Sequence, residues 1–239
     1  MPSTRRFAAL LTVLGTAVVL SGCSTSTTEP ERSTAASAST PTASSSSAAP
    51  GGYDLSRLAE LRVDIPIEFE PKVYPKERLD GAFASDVGAV VSSGEHFAVD
   101  PPQCRPLLKP VDATAGVESV TIRADKLKGK DGIWLGAYSP VSVPSGIPST
   151  GCDRMMYSVP ELQNQTGTVA RIPAPDIEGA TTIALQIQVN QYQYVGYHYA
   201  AIIGDDAFIR VEGRFDPSFQ AQPMLPDMLV KAVAAIRGQ

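Results

Sequence analysis

The stretch Thr182-Ile183-Ala184-Leu185-Gln186-Ile187-Gln188-Val189 and the segment after it, Tyr192 to Val211, decide the fold. Ile183, Leu185, Ile187 and Val189 alternate with Gln186 and Gln188, the period-2 pattern of a strand with one buried face. Tyr192 to Ile203 continues as a long aromatic strand, and Phe208 to Val211 reads as its return. Between them Gly204-Asp205 is expected to be a two-residue hairpin turn. Working outward, Val117 to Ala124, Ile133 to Val141 and Cys152 to Val159 also read as strands. No long helical pattern separates them, which predicts antiparallel rather than parallel pairing. The chain closes on Pro223 to Arg237, where Leu225, Met228, Leu229, Ala232, Val233 and Ile236 form one apolar stripe and Gly238 is a natural stop.

Upstream, Leu55 to Leu61 offers a short helical turn. Val63, Ile65 and Ile67 alternate around Pro66, suggesting an edge strand. Leu79, Phe83, Val87 and Val90 or Val91 recur at helical spacing, with Gly81 and Gly88 among them, and Asp100 to Leu108 reads as a turn into a short helix. Strands in sequence with helices at both ends predict α+β: a single domain, an antiparallel β-sheet with helices packed on one face.

The 239 residues carry 20 Lys+Arg against 25 Asp+Glu, a net charge of −5. An acidic chain lacks the basic footprint of phosphate-backbone binding, so no nucleic-acid partner is expected. Two histidines leave little for a metal site, and neither metal nor cofactor is expected. There is no G-x-S-x-G elbow, H-E-x-x-H, P-loop or G-x-G-x-x-G, so the sequence gives no positive sign of an enzyme.

The N-terminus reads as an address. Arg5 and Arg6 precede the apolar run Phe7–Leu20, which is too short to span a bilayer as a helix but suits a signal peptide. Leu20-Ser21-Gly22-Cys23 resembles the bacterial lipobox, in which the Cys thiolate takes a diacylglycerol after small residues admit the peptidase. Residues 1–22 are therefore expected to be a lipoprotein signal peptide and Cys23 the lipid attachment site. Cleavage would remove Arg5 and Arg6 and move the charge from −5 to −7. Two or more acyl chains, such as palmitate, anchor a protein stably without a spanning helix. Residues 24–50 are Ser, Thr, Ala and Pro with three charges and no apolar periodicity. Such a segment cannot bury enough surface to order itself. Residues 23–52 are read as the lipidated Cys and a disordered tether, and 53–239 as the binding domain.

Cys104 and Cys152 are the remaining cysteines. An even pair in an exported protein is expected to form a disulfide.

The segment Asp100-Pro101-Pro102-Gln103-Cys104, followed by Leu107-Leu108-Lys109-Pro110, resembles mycobacterial and related actinobacterial envelope lipoproteins of unknown function. It is also similar to the extracytoplasmic sensor domain of PknH-type serine/threonine kinases. Both tend to carry an early Pro-Cys segment, a second Cys near mid-domain, a long hairpin and a closing helix. The resemblance implies a cleft-containing α+β module that binds a small molecule, a lipid or an envelope protein at the outer face of the cytoplasmic membrane.

The candidate ligand-binding residues are Tyr192, Tyr194, Tyr197, Tyr199 and His198, because tyrosines on a strand offer flat rings with polar tips. Gly196 is a candidate bulge that would change which of them face outward. Trp134 is expected in the core. A hydrolase built on His198, or His96, is the weaker reading. An accessory role in envelope assembly or transport through protein contacts is the alternative. The Lys126, Lys128 and Lys130 run is expected to be a solvated loop, as is Asp205-Asp206.

Overall fold

The computed structural model describes residues 52–92, 96–127, 129–144, 146–204, 206–219 and 221–239. The expected signal peptide, Cys23 and the expected tether through Gly51 lie outside the described residues, as do Lys128 and Asp205.

The architecture is one nine-stranded, wholly antiparallel sheet with a few helices. The strands are β1 (Phe69–Arg78), β2 (Ala98–Asp100), β3 (Glu118–Lys126), β4 (Gly132–Ser139), β5 (Arg154–Val159), β6 (Gln165–Arg171), β7 (Ala180–Val189), β8 (Val195–Ile203) and β9 (Ala207–Phe215). Their spatial order is β1-β3-β4-β9-β8-β7-β6-β5-β2. Among the described residues, four shorter helical pieces and one long helix complete it: a 3-10 helix Leu55–Asp64, α1 (Gly81–Ser85), a 3-10 turn Pro102–Cys104, α2 (Arg105–Leu108) and α3 (Met224–Arg237).

Alternation along the central strands builds two separate cores. Tyr199, Ala201 and Ile203 of β8 join Ile209 and Val211 of β9 under α3 and the 3-10 helix. The intervening Ala200 and Ile202 join Phe208 under the segment that contains α1 and α2. Helical segments therefore lie on both faces. This corrects the expectation of one helical face: a doubly buried strand must find apolar cover on each side.

The 3-10 helix follows from its sequence. Leu55, Leu58 and Leu61 recur every third residue, which places them on one side of a helix of three residues per turn, and all three are buried. Asp54 caps it by accepting from the Ser56 N–H at 3.1 Å. Val63 and Ile67 are exposed and belong to no strand; the expected strand there is replaced by the end of this helix, and the edge strand starts at Phe69. In β1, Pro71 and Pro75 lack N–H groups and charged side chains crowd the rest, which discourages further pairing at that edge.

Helix α3 forms as its stripe predicts, with Leu225, Met228, Leu229, Ala232, Val233 and Ile236 buried. Gly238 ends it at φ 79°, its N–H donating to the carbonyls of Ala234 and Ala235. Lys231 pairs with Asp64, tying α3 to the 3-10 helix.

The spacing Leu79-Phe83-Val87-Val90 gives only the five-residue α1. Asp80 caps it, accepting from Ala82 and Phe83 N–H at 3.0 and 3.1 Å. Gly88 stops it: its φ is +82°, and a Cβ there would sit 2.6 Å from the Val111 carbonyl oxygen. The expected disulfide is present. Cys104 and Cys152, both fully buried, are joined and fasten the α2 segment to the start of β5.

The hairpin register pairs Ile203 with Ala207, so three residues connect β8 to β9 rather than the expected two. Every pair beyond is thereby displaced, and a one-residue displacement changes which side chains share a face. The register of β8 with both neighbours runs without a shift, so Gly196 forms no bulge.

Candidate functional site

One row of opposed residues crosses the middle of the sheet: Arg123 opposite Trp134, Trp134 opposite Glu212, Glu212 opposite His198, and His198 opposite Leu185. Directly opposed residues point to one face. The α1–α2 segment covers the Leu185 end of this row and leaves the Trp134 end open. The seam between them is the candidate site.

Two hollows meet along that seam. The smaller, about 190 Å³, is lined by Val90, Val91, Tyr157, Tyr194, Gly196 and His198 among others, and it shares Trp134 and Glu212 with its neighbour. The neighbour is a groove of about 630 Å³ bounded by Tyr74, Phe83, Arg123, Tyr138 and Arg210. Gly196 helps make the smaller hollow, because it sits two residues before His198 on the same face and brings no side chain.

The electrostatics centre on Glu212. Its Oε1 lies 3.0 Å from His198 Nδ1 and 3.5 Å from Arg210 Nη1. Burial alone would raise the Glu212 carboxyl; the Arg210 guanidinium and the His198 contact overcome it and hold the group down at about 2. Burial likewise works against the Arg210 charge, but Glu212 together with Tyr138 and Asp86 outweighs it and its pKa is raised. An ionised Glu212 accepts from His198 Nδ1–H and so fixes the tautomer, leaving Nε2 as a hydrogen-bond acceptor in the neutral ring.

That Nε2 has no partner, although His198 is only 1% exposed. Among the described residues, the Tyr157 hydroxyl is the second buried side-chain polar group without one. Burial pushes the Tyr157 phenol up to about 12, with the neighbouring Gln165 side chain partly offsetting it. Both unpartnered groups belong to side chains that line the same small hollow. Buried polar atoms in native proteins are overwhelmingly paired, so such exceptions require an explanation. A buried hydroxyl with nothing to bond costs about 1–3 kcal/mol relative to one that is satisfied. Tyr157→Phe is therefore expected to leave thermal stability unchanged or raise it by about 1 kcal/mol. A melting curve checks this, and a loss beyond about 1 kcal/mol would mean that the hydroxyl supports the fold.

At the rim, the Arg214 guanidinium lies 5.3 Å from the ring centres of both Trp134 and Tyr194, and its Nε donates to the Lys130 carbonyl at 2.9 Å. Tyr194 in turn stacks on Tyr192 at 5.2 Å. Burial raises the Tyr194 phenol, with Arg214 partly offsetting it.

The five predicted ligand residues thus divide. Tyr194 and His198 line the smaller hollow, Tyr197 borders it as well, and Tyr192 supports Tyr194 from an exposed position. Tyr197 and Tyr199 point to the other face. Tyr199 is fully buried beneath α3, with its hydroxyl accepting from Gln222 at 3.2 Å, and Tyr197 packs against Phe215. Tyr199 is thereby corrected from ligand residue to core. Trp134 moves the opposite way, from expected core to the shared wall of both hollows. His96 stands apart, exposed and 3.2 Å from Glu161. Among the described residues, no cluster of His, Cys, Asp and Glu is arranged to hold a metal, and no helix is long and apolar enough to cross a membrane.

Sequence reading missed Glu212, Arg210 and Tyr157. For Glu212 a signal existed, since counting outward from the hairpin places it across from His198 once the connection has three residues. A two-residue turn would have put Val211 there instead.

A further hollow of about 670 Å³ lies across β5, β6 and β7 and is lined by Asp100, Met156, Thr168, Gln186 and Gln188. It is an open stretch of the sheet with mixed polar and apolar walls, and neither unpartnered buried group lines it.

No family model matches the chain, and no curated protein matches it. Among solved structures, an uncharacterized protein of Mycobacterium smegmatis, the Rv0999 ortholog, is similar to it with a TM-score of 0.60 at 18% identity, over 77% of this chain and 97% of that one. At that identity the similarity speaks for the fold: a mycobacterial protein shares the sheet and its cover over nearly its full length.

Proposed function

We propose that the chain is a non-catalytic, lipid-anchored envelope protein whose sheet presents a sensor-like binding site for a small ligand at the outer face of the cytoplasmic membrane. The observation that carries the binding reading is the pair of buried, unpartnered polar groups, His198 Nε2 and Tyr157 OH, on one small hollow. The aromatic rim of Trp134 and Tyr194 supports it, because ligand pockets combine apolar walls with a few fixed polar groups. The absence of a recognisable nucleophile motif beside His198 favours binding over hydrolysis. The lipobox at Leu20–Cys23 and the Ser/Thr-rich tether support the anchor. The likeness to PknH-type sensor domains fits the same reading, as does an α+β sheet shared with a mycobacterial protein.

Cys23→Ala is expected to release the protein from membranes and to remove the acyl mass. Fractionation with intact-mass measurement checks this, and continued membrane partitioning with retained acyl mass would refute the anchor. Cross-linking in membranes separates the binding reading from an assembly role: a single dominant protein partner would favour the latter.

A further inference from the structure

Resting on that binding reading, we propose that the site recognises a carbohydrate, with ligand hydroxyls meeting His198 and Tyr157 and a sugar ring lying against the Trp134–Tyr194 rim. The argument runs through the chemistry that the hollow leaves unsatisfied. Glu212 accepts the hydrogen bond from His198 Nδ1–H, so in the neutral ring the buried Nε2 offers a lone pair and calls for a donor. Tyr157 OH offers a proton and a lone pair and calls for an acceptor, a donor, or both.

Three ligand chemistries can be weighed against this. A carboxylate brings only acceptors at neutral pH and would face the Nε2 lone pair, and a phosphate, although it keeps an O–H donor, likewise brings negative charge beside the ionised Glu212. An ammonium brings only donors and leaves the Tyr157 proton unused. Hydroxyls are both donors and acceptors, and a molecule with several of them satisfies both groups without bringing a charge near Glu212.

Size and walls extend the argument from hydroxyl to sugar. The smaller hollow, about 190 Å³, has room for about six waters at roughly 30 Å³ each, more than an isolated bridging water needs. It continues past Trp134 and Glu212 into the groove of about 630 Å³. Trp134 and Tyr194 give flat apolar surface at the mouth, with Arg214 fixed between them. Flat rings beside convergent hydrogen-bonding groups match a molecule with apolar C–H faces and a polar edge, which describes a pyranose.

Trp134 is the chain's sole tryptophan, so its emission reports on this site alone. The test titrates the full chain with glucose, with trehalose, with inorganic phosphate and with decanoate. A saturable change with at least one of the sugars and none with phosphate is expected. Tyr157→Phe should weaken that sugar about tenfold. Gly196→Ala should also weaken it; its added Cβ comes no nearer than 3.4 Å to Ile187, so the strand accepts it while the hollow shrinks. A response to phosphate or decanoate with none to the sugars overturns the carbohydrate assignment and leaves ligand binding at this site standing. Sugar binding that both variants leave untouched overturns the placement. Silence with all four probes overturns the carbohydrate proposal; the broader reading then falls only if the chain recovered from the cells that make it also carries no ligand.

Discussion

Glu212→Ala is expected to lower the unfolding free energy by about 3–5 kcal/mol, because it strands a charge it was pairing. Arg210, with 22% of its side chain exposed, loses its carboxylate, and His198 Nδ1 loses its acceptor. Removing one partner of a largely buried pair costs far more than the pair contributes over an apolar replacement, since the survivor remains desolvated. Glu212→Gln keeps an acceptor for His198 and should cost less. The same group sets an acid limb. A carboxyl held at about 2 in the fold, against its ordinary 4.5, stabilises the native state above the ordinary value and loses that contribution as pH falls from there toward 2. Urea denaturation at neutral and at acid pH reads both effects: the gap between wild type and Glu212→Ala should be widest at neutral pH and close in acid. A gap that is small at neutral pH, or that widens in acid, would contradict the assignment of charge in this row.

The second large effect belongs to the disulfide. Cys104→Ser is expected to cost about 4 kcal/mol, the chain-entropy value for a loop closed over 48 positions. The bond fastens the segment that covers that half of the sheet: Leu107, Leu108 and Val111 follow Cys104 closely and are fully buried. Its loss should loosen the α1–α2 segment, whose Phe83, Val90 and Val91 wall the hollows, so ligand affinity should fall along with stability. Cys152→Ser and the double variant should match Cys104→Ser, since all three remove one bond. Melting with and without reductant checks this, and a wild type indifferent to reductant would show that the native thiols are not joined.

How much of this was legible in the residues depends on whether a feature is local. Helix α3 was, because its stripe and its terminal glycine are written in 16 consecutive residues, Pro223 to Gly238. Strand β7 was, because Ile183 to Val189 alternates without interruption. Strands β1 and β6 were not. Prolines break the first, and Gln165-Thr166-Gly167-Thr168 gives the second little apolar contrast; both are strands because neighbours supply the pairing. The α1 helix was overread, because the left-handed backbone at Gly88 follows from the nearby Val111 carbonyl, a contact 23 residues away in sequence.

The site was half legible for the same reason. The tyrosine-rich run Tyr192–Tyr199 was the right strand, but a strand has two faces, and burial decides between them. Tyr194 and His198 fell on the open seam and Tyr199 under α3. Glu212, Trp134 and Tyr157 come from three other strands and converge only through the register of the sheet. Their chemistry is visible one residue at a time in the sequence, and their meeting is not.

Native mass spectrometry of the chain recovered in mild detergent from the cells that make it tests the central claim most directly. The account predicts a non-covalent adduct on the wild-type protein, reduced in Gly196→Ala and in Tyr157→Phe. A bare wild-type chain, or an adduct that both variants retain in full, would contradict it.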